Sequence, residues 1–349
     1  MCKCLSVLSV KGKQYGLMLA GALLATMFAV TGAAAAEPKV RVLATTYPVY
    51  LLTRAVAQSS PDVQVDLLIP AQTGCPHDYA LTPKDMQKLS KARIVVINGL
   101  GLEAFLEKPL ASAGKIKVID SSAGITPIAE DQDDDHDAGH AGTDKAHEAD
   151  HAAAAAKGHE PHDKGHEAAH EHGHEHGGAN PHIFSSPLQA AAMVRNIGRG
   201  LAAAEPVAAK NCPEAAEAYA ARLETLAQRM AAVGANAANK NVVALHDGMA
   251  YLVRDAGLNL VDVIQEDEEA QPSAARLLEL VKKTKESKPV VLIGEPQYSD
   301  KPVRALAAET GVPAVQLDPL ASGPTNAPLD YYETVMTKNC TILEKSFAK

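Results

Sequence analysis

The chain has 349 residues, 46% of them apolar and 21% charged, with a mean hydropathy of −0.09. That is room for two ordinary domains, too polar for a multi-span membrane protein and too apolar for a chain disordered throughout. A net charge of −9, 4% aromatic residues and no Trp argue against a nucleic-acid or anionic-lipid partner and against a carbohydrate- or base-stacking groove.

Lys3, Lys11 and Lys13 precede an uncharged stretch over 14–36 that ends in four Ala before Glu37 and Pro38. A positive start, an apolar middle and a small-residue end describe a cleavable secretory signal over 1–36, which implies export. The rival is a retained anchor helix, but the run is diluted by Gly and Ala. No Cys follows the run directly, so nothing there indicates a lipidated amino terminus.

Next come short β-branched runs at 39–43, 63–69, 94–98 and 116–120. Helical patterns at about 47–57, 82–91 and 102–113 lie between them. The segment 130–177 then breaks the pattern. It holds 14 Asp and Glu against three Lys, and 11 His: His136, His140, His147, His151, His159, His162, His166, His170, His172, His174 and His176. It lacks Phe, Tyr and Trp, and no branched apolar residue occurs between Ile128 and Ile183, so it cannot bury a core. Asp144-Lys-Ala-His-Glu-Ala149 recurs as Asp163-Lys-Gly-His-Glu-Ala168. This reads as a disordered, metal-collecting low-complexity loop. Two H-E-x-x-H matches, His147–His151 and His166–His170, suggest a zinc protease helix, but His and Glu are dense enough here for a chance match and the internal copy supplies the second.

Beyond the loop the sequence predicts helices at about 188–203 and 213–233, the second Ala-rich with Pro213 at its start, where a missing N–H costs little. Strands at 242–246, 260–264, 290–294 and 314–318 then alternate with helices at about 249–256, 274–286, 302–310 and 331–347. The economical reading is an α/β fold of two similar lobes, each a mainly parallel sheet flanked by helices, joined by one long rigid helix. Its divisions are a signal over 1–36, an N-terminal lobe over 37–203, a connecting helix over 204–235 and a C-terminal lobe over 236–349.

Only His77, His182 and His246 lie outside the low-complexity segment. His246 and Asp318 fall at predicted strand ends and Glu295 just beyond one, where ligands bind in open α/β sheets. Three imidazoles and a carboxylate make a tetrahedral set suited to Zn(II).

Cys75-Pro-His77-Asp-Tyr-Ala-Leu-Thr-Pro-Lys-Asp-Met-Gln-Lys-Leu and Ile97-Asn-Gly-Leu-Gly-Leu-Glu103 resemble the first ligand region of the periplasmic metal-binding receptors of bacterial ABC importers (cluster A-I, or cluster 9). Asn180-Pro-His182, Leu245-His246-Asp-Gly-Met-Ala-Tyr251, Gly294-Glu-Pro-Gln297 and Leu317-Asp-Pro-Leu320 resemble the later motifs in order, so the similarity covers essentially the whole mature chain. The resemblance implies a metal held between the lobes by His77 and His182 from the first and by His246 and Asp318 from the second. It implies zinc capture in the periplasm and delivery to an inner-membrane ABC permease by a monomer that is not an enzyme. Relatives that carry manganese or iron typically present a carboxylate where His246 stands, so imidazole there points to zinc as the transported ion; copper binding in vitro is not excluded. Some zinc relatives have an acidic residue directly before the first His, where this chain has Pro76. That leaves Asp318 or a water as fourth ligand, with Glu295 supporting the site.

Cys2 and Cys4 leave with the signal, so Cys75, Cys212 and Cys340 remain, an odd number for an oxidising compartment. A Cys212–Cys340 disulfide is one pairing, which leaves Cys75 as a thiol or an extra ligand. Two other classes stay open: a zinc hydrolase with Glu295 as base, and a periplasmic zinc buffer or adhesin acting through the His-rich loop.

Overall fold

The computed structural model describes residues 40–74, 76–77, 79–129, 178–265 and 272–348. The expected signal over 1–36, the His-rich segment with its H-E-x-x-H matches, and Cys75 lie outside them. Among the described residues no helix is long and apolar enough to cross a membrane.

The first sheet is built from β1 (Val40–Ala44), β2 (Val63–Leu67), β3 (Ile94–Ile97) and β4 (Lys117–Asp120), with α1 (Tyr47–Ala57), α2 (Pro83–Lys91) and the short α3 (Glu107–Ser112) in the connections. Two longer helices follow, α4 (Pro187–Ala204) and the 25-residue α5 (Cys212–Asn236). The second sheet comprises β5 (Asn241–Ala244), β6 (Asn259–Val263), β7 (Val291–Gly294) and β8 (Ala314–Gln316), with α6 (Ala250–Asp255), α7 (Ala274–Ser287) and α8 (Lys301–Thr310) between the strands; α9 (Tyr331–Phe347) closes the chain.

All strand pairs are parallel, and the two sheets repeat one plan, β2-β1-β3-β4 and β6-β5-β7-β8. The expected pair of parallel sheets flanked by helices is observed. In each sheet the order reverses beside the first strand, opening a crevice at the strand carboxyl ends between β1 and β3 and between β5 and β7.

The central strands are apolar apart from Arg41 and Asn241 near their starts, because both of their faces are covered. Val42, Ala44, Ile94 and Val96 face one core that continues through α1, α4 and α5 to Val242, Ala244, Val291 and Ile293 of the second sheet. Leu43 and Val95 point the other way, into a cluster with Leu68, Ile69, Leu89 and Leu106, and Val243 and Leu292 do the same with Leu280, Val303 and Leu306. This is the period-2 alternation of a strand read on both sides.

Three findings differ from the sequence reading. The helix expected over 102–113 is a 3-10 turn at Ala104–Leu106 followed by α3. Gly99, Leu100 and Gly101 take positive φ in succession, which delays the helix, and Glu103 is drawn inward to close the loop that results. Cys212 and Cys340 are both free and buried: Cys212 Sγ lies 3.4 Å from Ser60 Oγ and Cys340 Sγ 3.8 Å from Glu344 Oε1, so their helices present them to different neighbours rather than to each other. Finally, the C-terminal segment returns to the first half. Arg54 donates to the carbonyl of Ala327 (2.9 Å), Tyr332 to that of Phe184 (2.7 Å), and α9 packs on α5 with Arg222 paired to Glu333 and Arg229 to Glu344.

The ends of the His-rich segment meet. Ala129 and Ala179 form an antiparallel bridge, Asn180 N–H donates to the Ile128 carbonyl (2.9 Å), and Tyr251 Oη accepts from Ile128 N–H (2.9 Å) while donating to the Asn180 carbonyl (2.7 Å).

Candidate functional site

The four predicted site residues all lie in loops beyond strand or helix ends. His246 is two residues past β5, Glu295 directly follows β7, and Asp318 is two residues past β8. His246 and Glu295 therefore flank the crevice of the second sheet, both 2% exposed, with His246 Nδ1 at 3.4 Å from Glu295 Oε1. Tyr298 packs edge-on against the imidazole, ring centroids 4.3 Å apart. Among the described residues neither ring nitrogen of His246 has a hydrogen-bond partner. A buried imidazole in that condition forfeits its water without replacement, which is costly unless something else binds there.

His77 is carried by the segment between β2 and α2. A reciprocal capping box fixes the downstream end: Thr82 N–H donates to Asp85 Oδ2 (3.0 Å) and Asp85 N–H to Thr82 Oγ1 (3.3 Å). Tyr79 Oη–H adds a bond to the same carboxylate (2.9 Å). Burial would raise the Asp85 pKa, but these donors outweigh it and hold the carboxyl below its usual range. Upstream, Gly323 N–H donates to the Ala71 carbonyl (2.9 Å) and Gln72 Nε2 to the Gly323 carbonyl (3.2 Å).

His182 is buried at 4% exposure and caps the amino end of the 3-10 turn Ile183–Ser185 that leads into α4. Its Nε2 lies 3.4 Å from His77 Nε2. Two nitrogens on one tetrahedral zinc at the usual Zn–N length stand about 3.3–3.4 Å apart, so the separation suits a shared ion. Gly248 lies beside both groups: a Cβ there would sit at ordinary contact distance, 3.8 Å from His182 Cδ2 and 3.9 Å from Glu295 Oε2. Residues 246–248 thus place one imidazole in the second crevice and bring the Gly248 backbone close to His182.

Asp318 Oδ1 accepts from Gln297 Nε2 (2.6 Å) and from Leu320 N–H (2.8 Å), and Asn339 braces its backbone in both directions. The structure brings His77 to His182 and His246 to Glu295. Among the described residues it does not gather three or more His, Cys, Asp or Glu side chains into one metal-ready cluster.

The sequence reading missed two residues. Glu103 is a buried carboxyl at the first sheet's crevice, accepting from Thr45 Oγ1 (2.6 Å), Asn98 N–H (2.7 Å) and Gly99 N–H (3.1 Å). Burial pushes it up to about 7, against those donors, with Asp120 adding to the rise. Asn98 Nδ2 reaches the Pro181 carbonyl (2.8 Å), next to His182. The other is Asn180, which contacts both His182 and Asp247. The motif Asn-Pro-His was the only signal for it.

A family model described as "Zinc-uptake complex component A periplasmic" (ZnuA) matches residues 42–346. The zinc-binding protein AdcA of Streptococcus pyogenes serotype M3 is 30% identical over 313 residues, 88% of this chain and 56% of that protein. The zinc-binding lipoprotein AdcA of Streptococcus pneumoniae strain R6 is 29% identical over 341 residues, 96% of this chain and 61% of that one. The chain spans little more than half the length of these curated relatives. Among solved structures, Zn(II)-bound AdcA from Streptococcus pneumoniae superposes with a TM-score of 0.65 at 26% identity, covering 89% of this chain and 58% of that one. The Pseudomonas aeruginosa SBP FpvC with Ni2+ gives 0.68 at 24% identity over 89% and 97%, a likeness of fold. With the match running from β1 to the last turn of α9, the chain belongs to the ZnuA family of metal-binding solute receptors.

Proposed function

We propose that this chain captures zinc in the periplasm, after export under its 1–36 signal, and delivers it as a monomer to the permease of an ABC importer. It acts as a receptor with no catalytic step. His77, His182 and His246 supply imidazole nitrogens and Asp318 the fourth ligand, while Glu295 stands beside the Nδ1 edge of His246 and leaves Nε2 for the ion. The division is an N-terminal lobe over 37–203, a connecting helix over 204–235 that includes most of α5, and a C-terminal lobe over 236–349.

The observation that carries this reading is the buried His246, whose two ring nitrogens lack hydrogen-bond partners among the described residues. Gly248, two residues on, lies beside His182, whose Nε2 is spaced from His77 Nε2 as two nitrogens on one tetrahedral ion would be. Three nitrogens suit zinc better than the harder manganese. The zinc bound by the AdcA relatives supports the same choice.

Competition against a zinc chelator tests it. His77→Ala, His182→Ala and His246→Ala should each lose the tight site, with affinity falling at least a hundredfold, while His166→Ala changes little. A single variant of the three that keeps wild-type affinity removes that residue from the set.

A further inference from the structure

Asn180 is 2% exposed, and every polar group it has is engaged. Its Oδ1 accepts from the backbone N–H of His182 at 2.9 Å and lies 3.0 Å from His182 Nδ1. Its Nδ2 donates to Asp247 Oδ2 at 2.8 Å and to the Asp247 carbonyl at 3.2 Å. Its backbone is held by Tyr251 and Ile128.

These contacts admit one orientation of the amide. A backbone N–H can only donate, so the atom facing His182 N is the amide oxygen. On the other side two acceptors, a carboxylate and a carbonyl, require the amide nitrogen. An amide oxygen can only accept, so His182 Nδ1 must carry the proton, and in the neutral ring Nε2 then has the lone pair. That Nε2 is the atom 3.4 Å from His77 Nε2.

We propose that Asn180 is the positioning residue for His182: it locks the Nδ1–H tautomer so that Nε2 faces the metal, and it fastens this ligand to Asp247, next to His246 in the second half. The ring is thereby joined through one amide to a carboxylate, Asp247 to Asn180 to His182. A donor chain of this kind raises the basicity of a ligating imidazole and fixes its plane. It also makes His182 follow the second sheet although it lies directly ahead of α4. Asp247 Oδ1, 3.9 Å from His182 Nδ1, is too far to do this alone.

This inference rests on the zinc-receptor reading for its effect on affinity, and its first readout needs no metal. In the 15N-labelled full chain, freed of metal, long-range 1H–15N correlation reports the His182 tautomer, with Nδ1–H expected. Asn180→Leu removes both arms and should give mixed tautomers and about 10- to 100-fold weaker zinc binding. Asn180→Asp keeps an acceptor toward Nδ1 and loses the donor to Asp247. It should retain the tautomer and lose less affinity than Asn180→Leu.

An unchanged tautomer or wild-type zinc affinity in Asn180→Leu overturns the proposal. If that variant does not fold, loss of the Nδ1–H tautomer in Asn180→Asp overturns it equally. His182→Ala separates the two levels: wild-type zinc affinity there sinks the receptor reading, while the tautomer result stands or falls by itself.

Discussion

Tyr47 Oη–H donates to the carbonyl of Pro324 at 3.0 Å, joining the first residue of α1 to a segment 277 positions later. Gly323 lies flat against the same ring, and a Cβ there would meet Tyr47 Cε1 and Oη at 2.6 Å. Gly323→Ala should therefore separate the return segment from the first sheet and lower stability by about 1–3 kcal/mol, the usual range for overpacking. Denaturant unfolding measures it, and an unchanged midpoint would show that the segment yields freely. Because Gly323 also holds Ala71 and Gln72 upstream of His77, zinc affinity should fall with it.

Zinc that binds the folded chain and not the unfolded one should stabilise the fold by mass action. At a free zinc concentration a thousandfold above the dissociation constant the gain is about 4 kcal/mol. Zinc should raise the melting temperature more than manganese at equal concentration. A larger manganese shift would reverse the metal assignment.

Glu103 makes stability depend on pH. Burial raises its carboxyl to about 7 in the folded chain, from an ordinary value of 4.5. Folding therefore takes up a proton between those values. The contribution is full below about pH 4.5 and is lost as pH rises through 7, on the order of 3 kcal/mol across the window. Glu103→Gln should flatten that slope in unfolding free energies measured from pH 5 to 7.5. Equal slopes in the two proteins would mean that Glu103 is ionised throughout.

Acid should divide the zinc into two classes. The eleven imidazoles of 130–177 bind only when neutral, and with an ordinary pKa near 6.5 they should release metal between about pH 7 and 5.5. The site at His182 and His246, with preset rings, should hold one ion to lower pH. Removing 131–176 should abolish the weak class and spare the tight ion in a calorimetric titration. Loss of the tight ion as well would make the His-rich segment the principal site.

The two buried thiols should be inert. Burial pushes Cys340 up to about 11 and raises Cys212 despite the Ser60 hydroxyl beside it. Neither forms a thiolate at neutral pH, so alkylation should label both only after denaturation. A Cys212–Cys340 peptide in a non-reducing digest would contradict the separate environments described here.

Periodicity in the sequence was a good guide wherever local pattern and packing agree. Helices at 47–57 and 331–347 match α1 and α9 end to end, and the eight strands match to within one or two residues. It ran one or two residues long at the strand ends before His246 and Asp318, because Leu245 and Leu317 stay buried and still donate to the neighbouring strand beyond the strand limits. It misplaced the helix at 102–113 because a buried carboxyl and three left-handed residues outweighed a helical pattern. Partners distant in sequence carry no periodic signal. The Asn180 amide with Asp247, and Glu295 beside His246, emerge only once the two crevices exist.

The Ala129–Ala179 bridge, with Tyr251 bonded to the residues on either side, acts as a socket. Whatever length of chain is plugged in between, the socket hands on the same geometry to His182 three residues later. Lengthening an insertion with its ends already joined adds only slowly growing closure entropy, about 0.6 kcal/mol per doubling. The near-copy of 144–149 at 163–168 is the kind of change such a socket tolerates. Selection can thus tune the number of imidazoles in this stretch by duplication and deletion without disturbing the placement of His182 beside it.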